Sequence, residues 1–318
     1  LSGVTNFMNV SVIGAKKSIE FIPYLNKSEK FYKETEKFFS NNINFLIAAK
    51  NLFWFQLNNQ KIKEISEKII LNKNVSLVEK SGSIFNQNYF YNLSQQEYTK
   101  YAINNSKSFP KHNVKKLKEI NFKENKKINL GFVSGDFTDQ HSIFYFLKDT
   151  LKFFDKKIFK IFLFSFNRGE NAKWLGQKEI KNLPDEFINL DNYNNQECVD
   201  FIQEKKINIL IDLMGFSFTK RVGIFSSRVA PVQISWLATC NTLGFENIDY
   251  LIADENVINS DEEKFYPEKI LKMPNIWNAH CGYDFDRKSY NSPCEDKDIF
   301  TFGSLNNFHK VSDEVVEA

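Results

Sequence analysis

The chain has 318 residues, and its 42 basic side chains nearly balance its 39 acidic ones, leaving a net charge of +3. This balance gives no electrostatic reason to expect a nucleic-acid or membrane-surface partner. No apolar run approaches the roughly 20 residues of a membrane-spanning helix, and no signal peptide opens the sequence. With four cysteines and no CxxC pair, we expect a cytoplasmic protein with reduced thiols.

Residues 1–127 are predicted to form a helical amino-terminal region that ends in a linker. Asn44–Leu71 places its apolar side chains at near-helical spacing, and Ser94 followed by Glu97 reads as a helix-capping box. Helix pairs of this size are compatible with a degraded helical repeat. Lys107–Lys127 is polar and rich in lysine, and we interpret it as a solvated connector rather than a nucleic-acid patch.

From residue 128 onward the pattern changes to short apolar runs separated by amphipathic helical stretches, one of them at Glu197–Lys206 and another around Val222. Such alternation predicts right-handed crossovers and a doubly wound, Rossmann-like parallel sheet. The predicted strands are Ile128–Val133, Ile158–Phe166, Phe187–Leu190, Ile207–Leu213, Val232–Leu237, Tyr250–Ala253, Lys269–Met273 and Ile299–Phe302.

The first strand leads into the turn Ser134-Gly135-Asp136, and the chain then reaches His141 and a helix that Ser142 is predicted to cap. Open parallel sheets bind ligands at the carboxyl ends of their strands. Gly135 lets a ligand approach the main chain closely, and Gly215 gives a second strand-end loop the same freedom. We therefore expect a ligand site at this edge of the sheet.

Several side chains near the strand ends are candidates for chemistry. His141 can act as a general base or hydrogen-bond a sugar or phosphate, and the alternative is a surface or helix-capping histidine. Asp136 fits either a phospho-accepting receiver domain or a residue that braces its own turn. Cys240 lies in a strand-end loop without an adjacent histidine in the sequence, which argues against a nucleophilic thiol.

Two further sites lie near the carboxyl end of the sequence. Asp284 and Asp286 have the spacing of a metal-binding carboxylate pair, but they follow no predicted strand. Asn307 and Lys310 come after the predicted strand Ile299–Phe302, where an amide can bind a ribose or base and an ammonium can bind a phosphate.

Six motifs occur together in one order: GFVSGDF…H…FL, INILIDLxG, APVQISWL followed by NTLG, IDYLIAD, EKILKMP and FGSLNNFHKV. Together they resemble the O-GlcNAc transferase-like proteins, which include the SPINDLY-like enzymes. The resemblance implies a GT-B glycosyltransferase with two Rossmann-like lobes behind a helical, TPR-like region. It also implies a UDP-sugar donor, usually UDP-N-acetylglucosamine, a Ser or Thr acceptor on a protein or peptide, inversion at the anomeric carbon, and no metal or other cofactor.

The resemblance also assigns roles to residues. His141 matches the cleft histidine that contacts the sugar or acts in catalysis, and Lys310 matches the lysine that neutralises the departing diphosphate. Asn307 stands where the family carries a nucleotide-contacting polar residue. Ser134, Gly135 and Gly215 fall in the loops expected to bind the donor. The implied domains are a helical region and linker at 1–127, an amino-terminal catalytic lobe at 128–295, and the start of a second lobe at 296–318.

Three departures separate this sequence from its relatives. The turn before His141 is one residue longer than usual, Phe216 replaces a histidine, and residues 238–242 lack the usual Pro-Gly. Because the sequence runs from Leu1 to Ala318, we expect a fragment of a longer enzyme that is inactive alone. The alternative is a non-catalytic scaffold with a degenerate transferase lobe.

Overall fold

A computed structural model of the protein describes residues 18–90, 93–117, 127–139, 141–166, 177–217 and 221–282, together with 294, 303 and 306–311. The chain divides into two compact units. The helical unit holds Leu1–Lys73, Asn86–Tyr91 and Tyr283–Ala318, and the sheet unit holds Asn74–Phe85 and Asn92–Gly282. Each unit is described by itself.

The helical unit contains amphipathic helices that pack through aromatic and branched aliphatic side chains. Its helices are α1 (Ser18–Phe39), α2 (Ile43–Phe55), α3 (Asn59–Leu71) and the end of α4 (Leu77–Phe90). The ring of Tyr32 stacks on Phe45 at 5.6 Å and meets the edge of Phe53 at 5.0 Å between centroids. Over the described part of the chain, no helix combines the length and apolar character that crossing a membrane requires.

The apolar stretch at Asn44–Leu71 is divided into two helices by a short break. Leu57 has a φ of 54°, a left-handed conformation that ends α2, and Asn58 then caps α3 by accepting the Lys61 N–H at 3.0 Å. A left-handed leucine costs about 1–2 kcal/mol, so tertiary packing must hold this break in place. Apolar spacing continues across the break, which is why periodicity alone does not locate it.

The sheet unit contains one seven-stranded parallel sheet with the order β3-β2-β1-β4-β5-β6-β7. This order confirms the predicted Rossmann-like doubly wound fold. The predicted strand at residues 299–302 lies outside the described residues. The strands are β1 (Ile128–Ser134), β2 (Phe159–Ser165), β3 (Glu186–Asn189), β4 (Ile209–Asp212), β5 (Val232–Ser235), β6 (Tyr250–Ala253) and β7 (Lys269–Lys272), and the helices with them are α5 (Gln95–Ser106), α6 (Ser142–Phe153) and α7 (Asn195–Glu204).

Strand β1 is the centre of the sheet and of its core. Phe132 pairs in register with Leu163 of β2 and with Ile211 of β4. Helix α6 covers this region with Leu147 and Leu151, and all of these side chains except Ile211 are almost wholly inaccessible to solvent. Burying an aliphatic or aromatic side chain of this size contributes about 1.5–3 kcal/mol, so β1 is fixed by packing on both faces.

One predicted helix cap is present in the structure, and another is formed by a different residue. Ser94 and Glu97 form the predicted capping box at the start of α5. Ser142 was predicted to cap α6, and this is wrong, because the cap residue is His141, whose Nδ1 accepts the Ile143 N–H. The helix predicted around Val222 is a 3₁₀ helix at Arg221–Ser226.

The described part of the predicted linker is bound to the sheet unit. The Gln196 side chain accepts the Asn113 N–H at 2.8 Å and donates to the Asn113 carbonyl at 2.8 Å. The Gln203 side chain makes the same pair of bonds with Lys115, at 2.9 and 3.2 Å. The two glutamines are seven residues apart on α7 and so lie on one face. Residues 111–117 are therefore tied to α7 through Asn113 and Lys115, although most of them are exposed to solvent.

Candidate functional site

The strand-end loops after β1 and β4 lie against each other where the strand order reverses. The chain moves outward from β1 through β2 to β3 and then returns to β4 on the other side of β1. In the first loop, the Ser134 hydroxyl oxygen accepts the Asp136 N–H at 3.0 Å. The Gly135 N–H points at the Met214 sulfur of the second loop, 2.8 Å away. Ser134 and Gly135 are both buried, so they shape this turn from within.

His141 is held at the mouth of the first loop by its role as a helix cap. Its Nδ1 accepts the Ile143 N–H at 3.3 Å, which assigns the proton of the neutral ring to Nε2. That Nε2 lies 3.7 Å from the Asp136 carboxylate, and the imidazole keeps 35% of its side chain exposed. The His141 N–H also donates to the Thr138 carbonyl at 3.3 Å. The ring can therefore donate from Nε2 at a solvent-accessible edge.

The second loop turns sharply at Gly215. Its φ of 55° favours glycine, and a Cβ there would lie 3.1 Å from the Thr239 methyl group. Asp212, the last residue of β4, accepts the N–H groups of Met214 and Gly215 at 3.1 and 2.8 Å. Burial raises the pKa of Asp212 to about 6, and these two N–H donors oppose the rise. The sequence analysis did not single out this carboxyl, although its place at a buried strand end was a usable signal.

Replacing Asp212 by asparagine is expected to remove a pH dependence from the free energy of unfolding. The folded-state pKa of Asp212 is raised above the unfolded-state value. Its contribution to the free energy of unfolding is therefore fully present below about pH 4 and is lost as the pH rises to about 6. As the pH rises from about 4 to 7, the free energy of unfolding of the variant should increase by about 2–3 kcal/mol relative to that of the wild type. Urea unfolding at several pH values measures this difference.

The control for this comparison is Asp261→Asn, because Asp261 is exposed to water. The free energy of unfolding of this control, plotted against pH, should run parallel to that of the wild type. The buried Glu268, whose pKa is also raised by burial, is present in all three proteins and cancels in the difference. If the Asp212→Asn curve also runs parallel to that of the wild type, the folded protein buries Asp212 as an ionised carboxylate.

Phe216, which stands where the resemblance leads us to expect a histidine, is a core residue. Its ring packs against Phe109 at 5.8 Å and against Phe245 at 5.9 Å between centroids, and 2% of the residue is exposed. The polar side chain expected after Gly215 is therefore replaced by an aromatic cluster that faces the interior. This departure changes the packing beneath the loop and removes a ligand-capable group from it.

The third strand-end loop contains Cys240. Burial, together with the smaller effect of the negative charge of Asp254, raises the pKa of this thiol to about 12. A thiol with so high a pKa is not a nucleophile near neutral pH, which agrees with the interpretation of the sequence. The neighbouring Thr242 donates its hydroxyl to Glu268 at 2.7 Å and accepts the Gly244 N–H at 2.9 Å, so this loop is internally bonded.

The remaining predicted site residues belong to the helical unit. Phe308–Lys310 forms a 3₁₀ turn in which the Lys310 N–H donates to the Asn307 carbonyl at 3.0 Å. Asn307 and Lys310 are both exposed, so their side chains are accessible to a ligand. The Asp284 and Asp286 pair lies outside the described residues. Among the residues that are described, no three His, Cys, Asp or Glu side chains cluster as a metal site requires.

Comparison with known families identifies the family to which the chain belongs. The sequence model of glycosyl transferase family 41 matches residues 86–282, more than half of the chain. The chain belongs to glycosyl transferase family 41. This result confirms the resemblance to O-GlcNAc transferase-like proteins on which the sequence analysis rested.

Two plant proteins illustrate how this family 41 chain relates to its relatives. It is 26% identical over 204 residues to the probable UDP-N-acetylglucosamine–peptide N-acetylglucosaminyltransferase SEC of Arabidopsis thaliana, covering 60% of this chain and 20% of that protein. It is 27% identical over 191 residues to the probable enzyme of the same description named SPINDLY, also from Arabidopsis thaliana, covering 60% and 21%. The chain thus spans about a fifth of the length of these curated relatives.

A solved structure shares the fold of the family 41 chain. A point mutant of the Thermobaculum terrenum O-GlcNAc transferase superposes with a TM-score of 0.62 and 16% sequence identity, over 87% of this chain and 58% of that one. Identity at this level supports a common fold alone. The arrangement of strands and helices is therefore shared, and the chemistry must be argued from the residues of this chain.

Proposed function

We propose that the protein transfers a sugar, N-acetylglucosamine, from a UDP-sugar to a Ser or Thr hydroxyl of a protein acceptor, with inversion and without a metal. Membership of family 41 and the names of the plant relatives support the donor and the acceptor. The observation that carries the proposal is the partly exposed His141 imidazole beside Asp136 at the strand-order reversal, where open parallel sheets bind ligands.

The proposal includes the cellular and domain setting that the sequence suggested. The protein acts in the cytoplasm, residues 128–295 form the amino-terminal catalytic lobe, and residues 296–318 begin the second lobe. The Rossmann-like sheet at residues 128–272 supports the first of these lobes. The buried Ser134, Gly135 and Gly215 set the shape of the donor-binding loops rather than presenting side chains to the donor.

In the proposed reaction, the acceptor hydroxyl attacks the anomeric carbon while the bond from that carbon to the UDP oxygen breaks. The departing UDP gathers negative charge, and the ammonium group of Lys310 stabilises it. Asn307 contacts the nucleotide. His141 donates from Nε2 to an oxygen of the sugar or diphosphate, because its Nδ1 already accepts the Ile143 N–H in the neutral ring. Because Nε2 is already protonated, the hydroxyl proton passes to water or to an oxygen of the departing diphosphate.

A screen of UDP-sugar hydrolysis and transfer tests this function, using the protein encoded by its whole gene. The key variant is His141→Asn, because asparagine is a favoured helix cap and so keeps α6 intact while the imidazole is lost. We expect about 100-fold slower transfer, the loss seen when one positioned hydrogen-bonding group is removed. Thermal unfolding of the variant checks that the fold is unchanged.

The matched control is His280→Ala. His280 is exposed on the sheet unit, where its ring stacks on Tyr145 at 5.6 Å and its Nδ1 accepts the Gly282 N–H at 2.9 Å. Its loss should leave transfer unchanged. The buried Phe216 favours a second candidate, a scaffold with a degenerate transferase lobe. If the wild-type protein neither turns over any UDP-sugar nor binds UDP, the scaffold function is supported and the transferase function is rejected.

A further inference from the structure

The turn that carries Asn307 and Lys310 is anchored by the residue between them. His309 is 5% exposed, whereas Asn306, Asn307 and Lys310 are all exposed. A buried histidine in a short exposed segment indicates a docking contact rather than a ligand contact. The Asn307 side chain reinforces the turn by accepting the His309 N–H at 3.1 Å.

The residues that contact His309 or its immediate partners lie on three helices of the helical unit. Its ring packs on the indole of Trp54, at the end of α2, with 3.8 Å between centroids. Its Nδ1 lies 2.9 Å from the Asn59 side-chain oxygen, at the start of α3. Tyr89 of α4 meets the edge of the same indole at 5.9 Å and hydrogen-bonds the Asn307 side chain. We call Trp54, Asn59 and Tyr89 the histidine socket.

We propose that the histidine socket positions the Asn307–Lys310 turn, so that the helical region takes part in binding the donor diphosphate. This inference rests on the proposed function, which assigns the diphosphate to Lys310. His309 itself is a positioning residue, because it touches the socket and not the ligand.

The chemistry of the contact suits a permanent anchor. Burial lowers the pKa of His309, although a hydrogen bond to the Trp54 backbone opposes this, so the ring is neutral at physiological pH. The ring then combines aromatic packing on Trp54 with a directional bond to Asn59. A close ring contact and a hydrogen bond fix both the position and the rotation of the turn. Lys310, the next residue, is thereby held on the outer side of an immobilised backbone.

Hydrogen exchange and UDP affinity, measured on the protein encoded by its whole gene, test the inference together. His309→Ala should accelerate exchange of the amides of residues 306–311 and weaken UDP binding by about tenfold or more, since small displacements of a binding group are costly. Asn59→Ala should give a smaller change of the same sign. His309→Phe keeps a ring for Trp54 and should restore most of the affinity.

Two controls separate this inference from the proposed function. Gln60→Ala, in the exposed position next to Asn59, should change neither measurement. Lys310→Ala should weaken UDP binding without accelerating exchange. If Lys310→Ala weakens UDP binding and His309→Ala accelerates exchange but leaves the affinity intact, the positioning role is overturned and the proposed function stands. If neither variant alters UDP affinity, the assignment of Lys310 to the diphosphate fails, and this inference fails with it.

Discussion

Replacing Gly244 by alanine is expected to destabilise the sheet unit by about 4 kcal/mol. A Cβ at this position would lie 2.4 Å from the Ala102 carbonyl carbon and 2.4 Å from the Ile103 nitrogen. Both are backbone atoms of α5, so no side-chain rotation relieves the overlap. The φ of 67° adds the cost of a left-handed conformation. Chemical unfolding of the variant and the wild type measures the loss.

Gly282→Ala is the matched control for the backbone conformation. Gly282 has a φ of 83°, and a Cβ there would meet no atom within 4 Å. This variant should therefore lose only the conformational part, about 1–2 kcal/mol. The difference between the two variants measures the close approach of the loop to α5. If both variants lose the same free energy of unfolding, the backbone of α5 moves aside at little cost when a Cβ is added at Gly244.

The Gly244 contact joins the third strand-end loop to α5, which lies before the first strand and within the family match. Gly244 ends the NTLG motif, and its carbonyl accepts the Ser106 hydroxyl of α5 at 2.7 Å. Gln95, at the other end of α5, donates to the Asn241 side chain at 2.8 Å. The helix is thus fixed to the third strand-end loop at both ends. A glycine that reads in the sequence as a loop residue is required because a helix backbone passes beside it.

Local patterns predicted the elements of the sheet unit well. Buried apolar runs such as Ile128–Val133 lie in the sheet because both faces of a parallel sheet are covered, and the spacing from Ser94 to Glu97 fixes a helix start through bonds within one turn. These features depend on neighbours in the chain. The sequence therefore contains nearly all the information that determines them.

The contacts that define the site are between residues distant in the chain. The burial of Asp212 comes from the surrounding sheet and loops, and the socket for His309 is formed by Trp54 and Asn59, some 250 residues away. No spacing rule reaches across such a separation. The apolar character of Phe216 was visible in the sequence, but its partners Phe109 and Phe245 were not.

Lys310→Ala is expected to slow sugar transfer by about 100- to 1,000-fold, which corresponds to about 3–4 kcal/mol of activation free energy. The ammonium is exposed on a turn that the helical unit anchors, so the substitution removes charge without disturbing a core. Negative charge on UDP grows as the bond to the sugar breaks. The loss should therefore fall more on kcat than on the KM for the donor.

Steady-state rates with a labelled donor sugar test this expectation on the protein encoded by its whole gene. Lys73→Ala is the matched control, because Lys73 is an exposed lysine of the same unit and lies outside the turn. Lys310→Arg should retain part of the rate, since the charge remains but a planar guanidinium replaces a compact ammonium. A rate unchanged in Lys310→Ala would remove this lysine from the mechanism. A higher KM with an unchanged kcat would instead mean that Lys310 acts in ground-state binding only. An interaction made equally with the substrate and the transition state does not raise kcat.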